Sequence, residues 1–144
     1  MSKLSQKPTT PDLFAPSAPW WKPVGFREEN LTSEERKVYD VMKFHVGAAL
    51  AIKQEEIARI TNMTDRQVQD ILKHLTERHG LGLAASVRPP YGVYAIDTQR
   101  ELDDYCGQLH SRALSQLRRE AILRRRKPGE LAGQVAAELE AEEN

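Results

Sequence analysis

The sequence predicts a mainly α-helical fold with one small β-hairpin and a long C-terminal helix. Three observations lead there. Thr32/Glu35, Thr64/Gln67 and Thr98/Glu101 each have the spacing of a capping box, and each heads a run with apolar residues at helical spacing. The period drops to about two only around "PPYG", where "LGLAASVR" and "VYAI" read as strands joined by a turn that the prolines and glycine enforce. Finally, 144 residues, 40% of them apolar, suffice for one globular domain with tails. No apolar run approaches the roughly 20 residues of a membrane span, and no signal peptide is evident. With Cys106 alone there can be no internal disulfide, so a reducing cytoplasm is expected.

Residues 1–30 hold five of the eight prolines and both tryptophans, a density that denies regular structure and predicts an extended arm. Trp20, Trp21 and Phe26 are expected to dock, either on the chain's own domain or on a protein partner. Within the arm, "TPDLF" (10–14) is similar to the end of the bacterial sliding-clamp-binding pentapeptide, with Thr10 where that motif begins with glutamine. The first helix then carries Val38, Val41, Met42 and His45 at helical spacing up to Gly47. "AALAI" follows as a short apolar connector with strand character. A two-turn helix, "QEEIARITN", offers Ile57, Ala58 and Ile60 to a core. The next helix has Val68, Ile71, Leu72 and Leu75 as an i, i+3, i+4, i+7 stripe that Gly80 closes. The hairpin comes next, then the longest helical run, from Thr98 to about Arg126.

Equal numbers of acidic and basic residues, 21 each, conceal an uneven distribution. "RREAILRRRK" (118–127) holds six bases and one acid, whereas 128–144 holds five glutamates and no base. Neutrality of the whole therefore does not exclude a nucleic-acid partner.

The order helix, short strand, helix, helix, hairpin, helix resembles the winged helix-turn-helix family, with "IARITNMTDRQVQDIL" (57–72) carrying the likeness. Gln54, Ala58, Val68 and Ile71 stand where that pattern wants them. Asn62 occupies the turn position where the family usually has glycine, and asparagine tolerates the left-handed backbone needed there. "SVRPPYGVYAI" looks like the wing. The run "YGVYAIDTQRELDDYCGQLHSRALSQLRR" is similar to the end of small winged-helix proteins of bacteriophages and prophages. Together the two likenesses cover about residues 31–126. They divide the chain into an arm (1–30), a winged domain (31–97), a long helix with a basic end (98–127) and an acidic tail (128–144).

The resemblance implies a sequence-specific double-stranded DNA-binding protein, a phage or prophage transcriptional regulator in the cytoplasm of a bacterial host. Its third helix (64–79) would lie in the major groove, with the wing (86–94) on the backbone. Counting from Val68, the outward side chains are Arg66, Gln69, Asp70 and Lys73, with Thr64 and Gln67 near the helix start. Arginine forks onto guanine, glutamine onto adenine, and aspartate accepts from cytosine. The helix itself is nearly neutral, so phosphate-neutralising charge must come from elsewhere. Arg88 and Tyr91 on the wing, and Arg118, Arg119, Arg124 and Arg125, are the candidates, with Lys53 and Arg59 in support. Two other readings compete: a replication accessory binding DNA and a replisome component, and a protein-interaction winged helix that binds no DNA.

Along the long helix Leu102, Tyr105, Cys106, Leu109 and Ala113 share a face suited to packing on the winged domain. The turns beyond, with Leu114, Leu117 and Ala121, suggest a homodimer through 98–127, unless the helix frays after Arg119. Catalytic motifs are missing: no phosphate-cradling glycine loop, no HExxH and no CxxC. Cys106 and His110, one turn apart, are too few for a structural zinc site; His74 and His79 do not share a face. The expectation is a non-enzymatic protein without cofactor or metal.

Overall fold

In the computed structural model, which describes residues 21–143, all three capping boxes stand at helix starts. The chain runs α1 (Ser33–Met42), α2 (Gln54–Thr61), α3 (Asp65–His79), β1 (Leu83–Ser86), β2 (Gly92–Ala95), α4 (Gln99–Arg124) and α5 (Pro128–Glu143). It is mainly helical, with one small two-stranded antiparallel sheet. No described helix is long and apolar enough to cross a membrane. The chain divides into two compact units, one through Leu102 and one from Asp103 onward.

At α1 and α3 the boxes close reciprocally: Glu35 N–H donates to Thr32 Oγ1 (3.2 Å) and Thr32 N–H to Glu35 Oε1 (2.9 Å). Thr64 and Gln67 repeat the exchange at 3.1 and 2.9 Å. At α4 only half the box forms. Glu101 N–H donates to Thr98 Oγ1, but the Glu101 carboxylate accepts instead from Asp97 N–H (2.8 Å) and Ala48 N–H (2.9 Å), tying the helix start to the segment after α1.

Helix α1 ends at Met42 rather than running on to Gly47; Phe44 and His45 complete a turn by donating to Val41 and Met42 carbonyls. Gly47 then takes φ +96°, and the expected connector strand is a 3₁₀ turn, Ala48–Leu50, flanked by two single-residue bridges. Val46 bridges Ala95, and Ile52 exchanges backbone hydrogen bonds of 2.9 and 2.7 Å with Val93. β2 is therefore held on both sides, by β1 and by the 46–52 segment. Side-chain room beside it is nil at Gly92, where a Cβ would sit 2.3 Å from the Ile52 carbonyl oxygen.

Between α2 and α3 the chain turns through Asn62, which is left-handed (φ 59°, ψ 43°), as the turn demands. Met63 N–H reaches back to the Ala58 carbonyl, and Thr64 starts α3. Val68, Ile71, Leu72 and Leu75 are buried against Ile57 and Ala58 of α2 and Val38, Tyr39 and Met42 of α1. Ile60, expected in this core, is 51% exposed. Ile60 lies about 60° from Ile57 on the side away from Ala58, so a core centred between those two residues leaves it at the edge. Gly80 (φ +71°) ends α3 and lets the chain turn into β1.

The arm does not stay extended to residue 30. Trp21 is buried, its ring 5.3 Å from Tyr39, and its carbonyl accepts from Gly82 N–H at 2.8 Å. Phe26 lies 5.4 Å from the same tyrosine, and Glu28–Asn30 form a 3₁₀ turn. Trp21 to Asn30 thus belong to the first unit. Trp20 and the "TPDLF" segment lie outside the described residues.

The second unit is a helical hairpin. Arg125 (φ +55°) breaks α4, Arg126 N–H caps onto the Ala121 carbonyl, and α5 begins at Pro128. The helix therefore ends at Arg124, not Lys127, and the acidic tail is itself helical. Arg126 also donates to Gln134 Oε1 at 2.9 Å across the hairpin. Cys106, Leu109 and Ala113, expected on a packing face, are exposed; Tyr105 is half-buried.

Candidate nucleic-acid interface

Helix α3 buries one face and presents the other to solvent, which follows from a stripe with period 3.6 on a helix held by two neighbours. Arg66, Gln69, Asp70 and Lys73 are all exposed, together with Thr64 and Gln67 at its start. Their chemical availability differs. The Gln67 carbonyl and the Thr64 hydroxyl are engaged in the capping box, so either could reach a base only by giving up a helix-end hydrogen bond. Arg66 Nε lies 3.5 Å from Asp70 Oδ1 with its side chain 83% exposed, a loose pair easily exchanged for another acceptor. Gln69 and Lys73 have no partner among the described residues. The free row is thus Arg66, Gln69 and Lys73, with Asp70 set among them.

Charge on this face is balanced: Asp65, Asp70 and Glu77 stand against Arg66, Lys73 and Arg78. On α2, Arg59 is paired with Glu56, whose carboxyl it holds below the usual carboxylate range. Lys53 precedes the first turn of α2, is exposed and makes no cap hydrogen bond.

The β1–β2 connection carries Arg88 and Tyr91. Ser86 Oγ donates to the Arg88 carbonyl at 2.6 Å and accepts from Arg88 N–H at 3.4 Å, which pins the backbone while leaving the guanidinium exposed. Tyr91 is 55% exposed. A shallow groove runs between the start of α2 and the hairpin, lined by Lys53, Gln54 and Glu55 on one side and Ser86, Tyr91 and Gly92 on the other. This groove was not legible in the sequence, because the Ile52–Val93 bridge that brings its walls together pairs residues 41 positions apart. Gly92, which the sequence offers only as part of the "PPYG" turn, is the first residue of β2 and the point of close backbone approach.

The basic run belongs to the second unit. Arg118, Arg119 and Arg125 are exposed, whereas Arg124 is paired with Glu120 at 2.7 Å. Cys106 and His110 are both exposed, and among the described residues no group of three or more histidine, cysteine or acidic side chains is placed to hold a metal ion. Comparisons with protein-family models, curated proteins and solved structures find no match to this chain.

Proposed function

We propose that the protein is a sequence-specific double-stranded DNA-binding protein of the winged helix-turn-helix kind. In this reading α3 enters the major groove and the 86–94 hairpin lies along the backbone. One observation carries it: Arg66, Gln69 and Lys73 form an exposed row on the face of α3 opposite its buried stripe, with the helix start fixed by the left-handed Asn62 turn. Those side chains can fork onto base edges, and a helix anchored on its other face can hold them in register. Arg88, Tyr91 and Lys53 supply candidate backbone contacts beside it, and Arg118, Arg119 and Arg125 a separate source of positive charge. A phage or prophage regulatory role rests on the resemblance of residues 91–119 alone. A replication role rests on "TPDLF".

The second reading is a protein-interaction domain, favoured by the charge balance on α3 and the Arg66–Asp70 pair. Titrating labelled random duplex into the full chain at low and moderate salt separates the two. DNA binding requires affinity that falls steeply with salt, as released counterions demand. No binding at low salt leaves the interaction domain. Selection from a random duplex pool then yields the recognised sequence.

A further inference from the structure

We infer that the α4–α5 hairpin is a self-association surface on which two copies of this chain pair antiparallel, the tip of each hairpin against the open end of the other. The hairpin needs such a partner. Among its described residues only Ala121 and Leu131 are buried, while Ile122 is 75% and Leu139 60% exposed. Two helices sharing so little apolar contact gain little from each other, since helices in water owe most of their stability to packing.

Of the exposed apolar residues of the hairpin, Ile122 and Leu139 share one side, while Leu123, 77% exposed, lies about 100° further round α4. At about 100° per residue, Ile122 lies a quarter turn on from Ala121, and Leu139 a little under a quarter turn on from Leu131. Because α4 and α5 run in opposite directions, these two quarter turns open to the same side of the hairpin. Ala132 and Ala136 lie on that side of α5, and Ser111 and Ser115 on that side of α4 in one row with the exposed Arg118. Along the axis, Ile122 is near the tip and Leu139 roughly 13 Å toward the open end. A two-fold axis in the interface plane, midway between them, packs α4 on α4 of the other copy and brings Ile122 of each copy level with Leu139 of the other.

Charge selects the same arrangement. No ion pair joins the arginines of 118–126 to a glutamate of α5 among the described residues; Arg124 pairs with Glu120 on its own helix and Arg126 with Gln134. That leaves Arg125 and Lys127 exposed at the tip, with Glu140 and Glu142 exposed at the open end. Within one hairpin they are separated by roughly 18 Å of helix, too far to pair. In the antiparallel dimer the tip of one copy is level with the glutamates of the other, at both ends. A parallel pairing would instead set tip against tip and glutamate against glutamate.

The test is sedimentation of the full chain over about 1–100 μM, and it is independent of DNA binding, since no DNA is present. Wild type should pass from monomer to dimer in this range. Ile122→Lys and Leu139→Lys should each weaken association at least tenfold with helical content unchanged, because both positions are exposed in the single chain. Arg125→Glu/Lys127→Glu and Glu140→Lys/Glu142→Lys should each weaken it severalfold. An equimolar mixture of these two double variants should then associate as tightly as wild type, which pairing within one chain cannot produce. A wild-type chain that stays monomeric leaves Ile122 and Leu139 to a different partner and overturns the inference. So does a dimer indifferent to Ile122→Lys, or a mixture that associates no better than its components.

Discussion

His79 and Glu35, at the end of α3 and the start of α1, meet with Nε2 and Oε1 3.1 Å apart, their side chains only 15% and 4% exposed. The same carboxylate oxygen accepts from Thr32 N–H, so one buried group caps a helix and ties it to another. Burial alone would raise the Glu35 pKa. The Thr32 N–H and the His79 ring outweigh it and hold the carboxyl below its ordinary value of 4.5.

A carboxylate whose folded pKa is depressed contributes stability that is complete above its unfolded value and is lost as pH falls through the folded one. Unfolding by urea between about pH 6 and pH 3 should therefore show a loss at the acid end to which Glu35 contributes. Glu35→Gln keeps a side-chain acceptor for the capping box but removes the titrating group. Its stability should fall less steeply through the acid limb than that of wild type. Parallel acid limbs for the two proteins would remove Glu35 from the account.

The core has a sharper test in α2 and α3. Leu75 is fully buried, so Leu75→Ala should cost roughly 2–5 kcal/mol by leaving a cavity between helices. Ile60→Ala deletes the same class of side chain from a site that is half-exposed, and should cost well under that, about 0.5 kcal/mol. Thermal or urea melts of the two variants would decide it. Comparable losses would mean that α2 is rotated from the orientation described.

What the sequence could show was local. The capping boxes, the α3 stripe and the Asn62 turn depend on residues within about eight positions of each other, and each was readable for that reason. Ile60 was misjudged because apolar character alone does not say which side of a two-turn helix the rest of the chain covers. The Ile52–Val93 bridge, the Glu35–His79 pair and the docking of Trp21 on Tyr39 join distant segments, and no periodicity encodes them. At the candidate site, the outward row of α3 was legible from helix geometry. The Thr64/Gln67 spacing already implied that Gln67 is bound in a cap, whereas the place of Arg66 beside Asp70 depended on side-chain conformations the pattern does not specify.

Two glycines with positive φ separate conformational cost from steric cost. At Gly25 (φ +85°) an added Cβ meets nothing within 4 Å, so Gly25→Ala should cost only the left-handed penalty, about 1–2 kcal/mol. At Gly92 (φ +138°) it would lie 2.3 Å from the Ile52 carbonyl oxygen and 2.8 Å from Lys53 N. Gly92→Ala must therefore push the 46–52 segment away from β2, breaking the Ile52–Val93 hydrogen bonds and opening the groove beside the hairpin. Its loss in a melt should exceed that of Gly25→Ala by at least about 1 kcal/mol, the worth of one backbone hydrogen bond. Equal losses would show that the segment does not sit against β2 at that distance.

Arg66 and Asp70 make the proposed reading face testable by sign as well as size. Under the DNA-binding proposal, Arg66→Ala removes a base-edge fork and should cost about 1–3 kcal/mol at one base position, relaxing preference there. Gln69→Ala should relax a neighbouring position by a similar amount. Neither should shift the melting temperature by much, because both side chains are exposed and the pair Arg66 makes is a weak one. Asp70→Asn acts in the opposite direction on affinity. It removes a negative charge facing the phosphates and releases Arg66 from its 3.5 Å partner, so binding to random duplex should tighten. If Asp70 reads cytosine, as its position allows, the same change should also weaken discrimination at that base pair. Competition between the selected site and random duplex, measured for all three variants at one salt concentration, gives both quantities. An Asp70→Asn protein that binds random duplex no more tightly, alongside an Arg66→Ala protein with unchanged site preference, would take α3 out of the DNA interface.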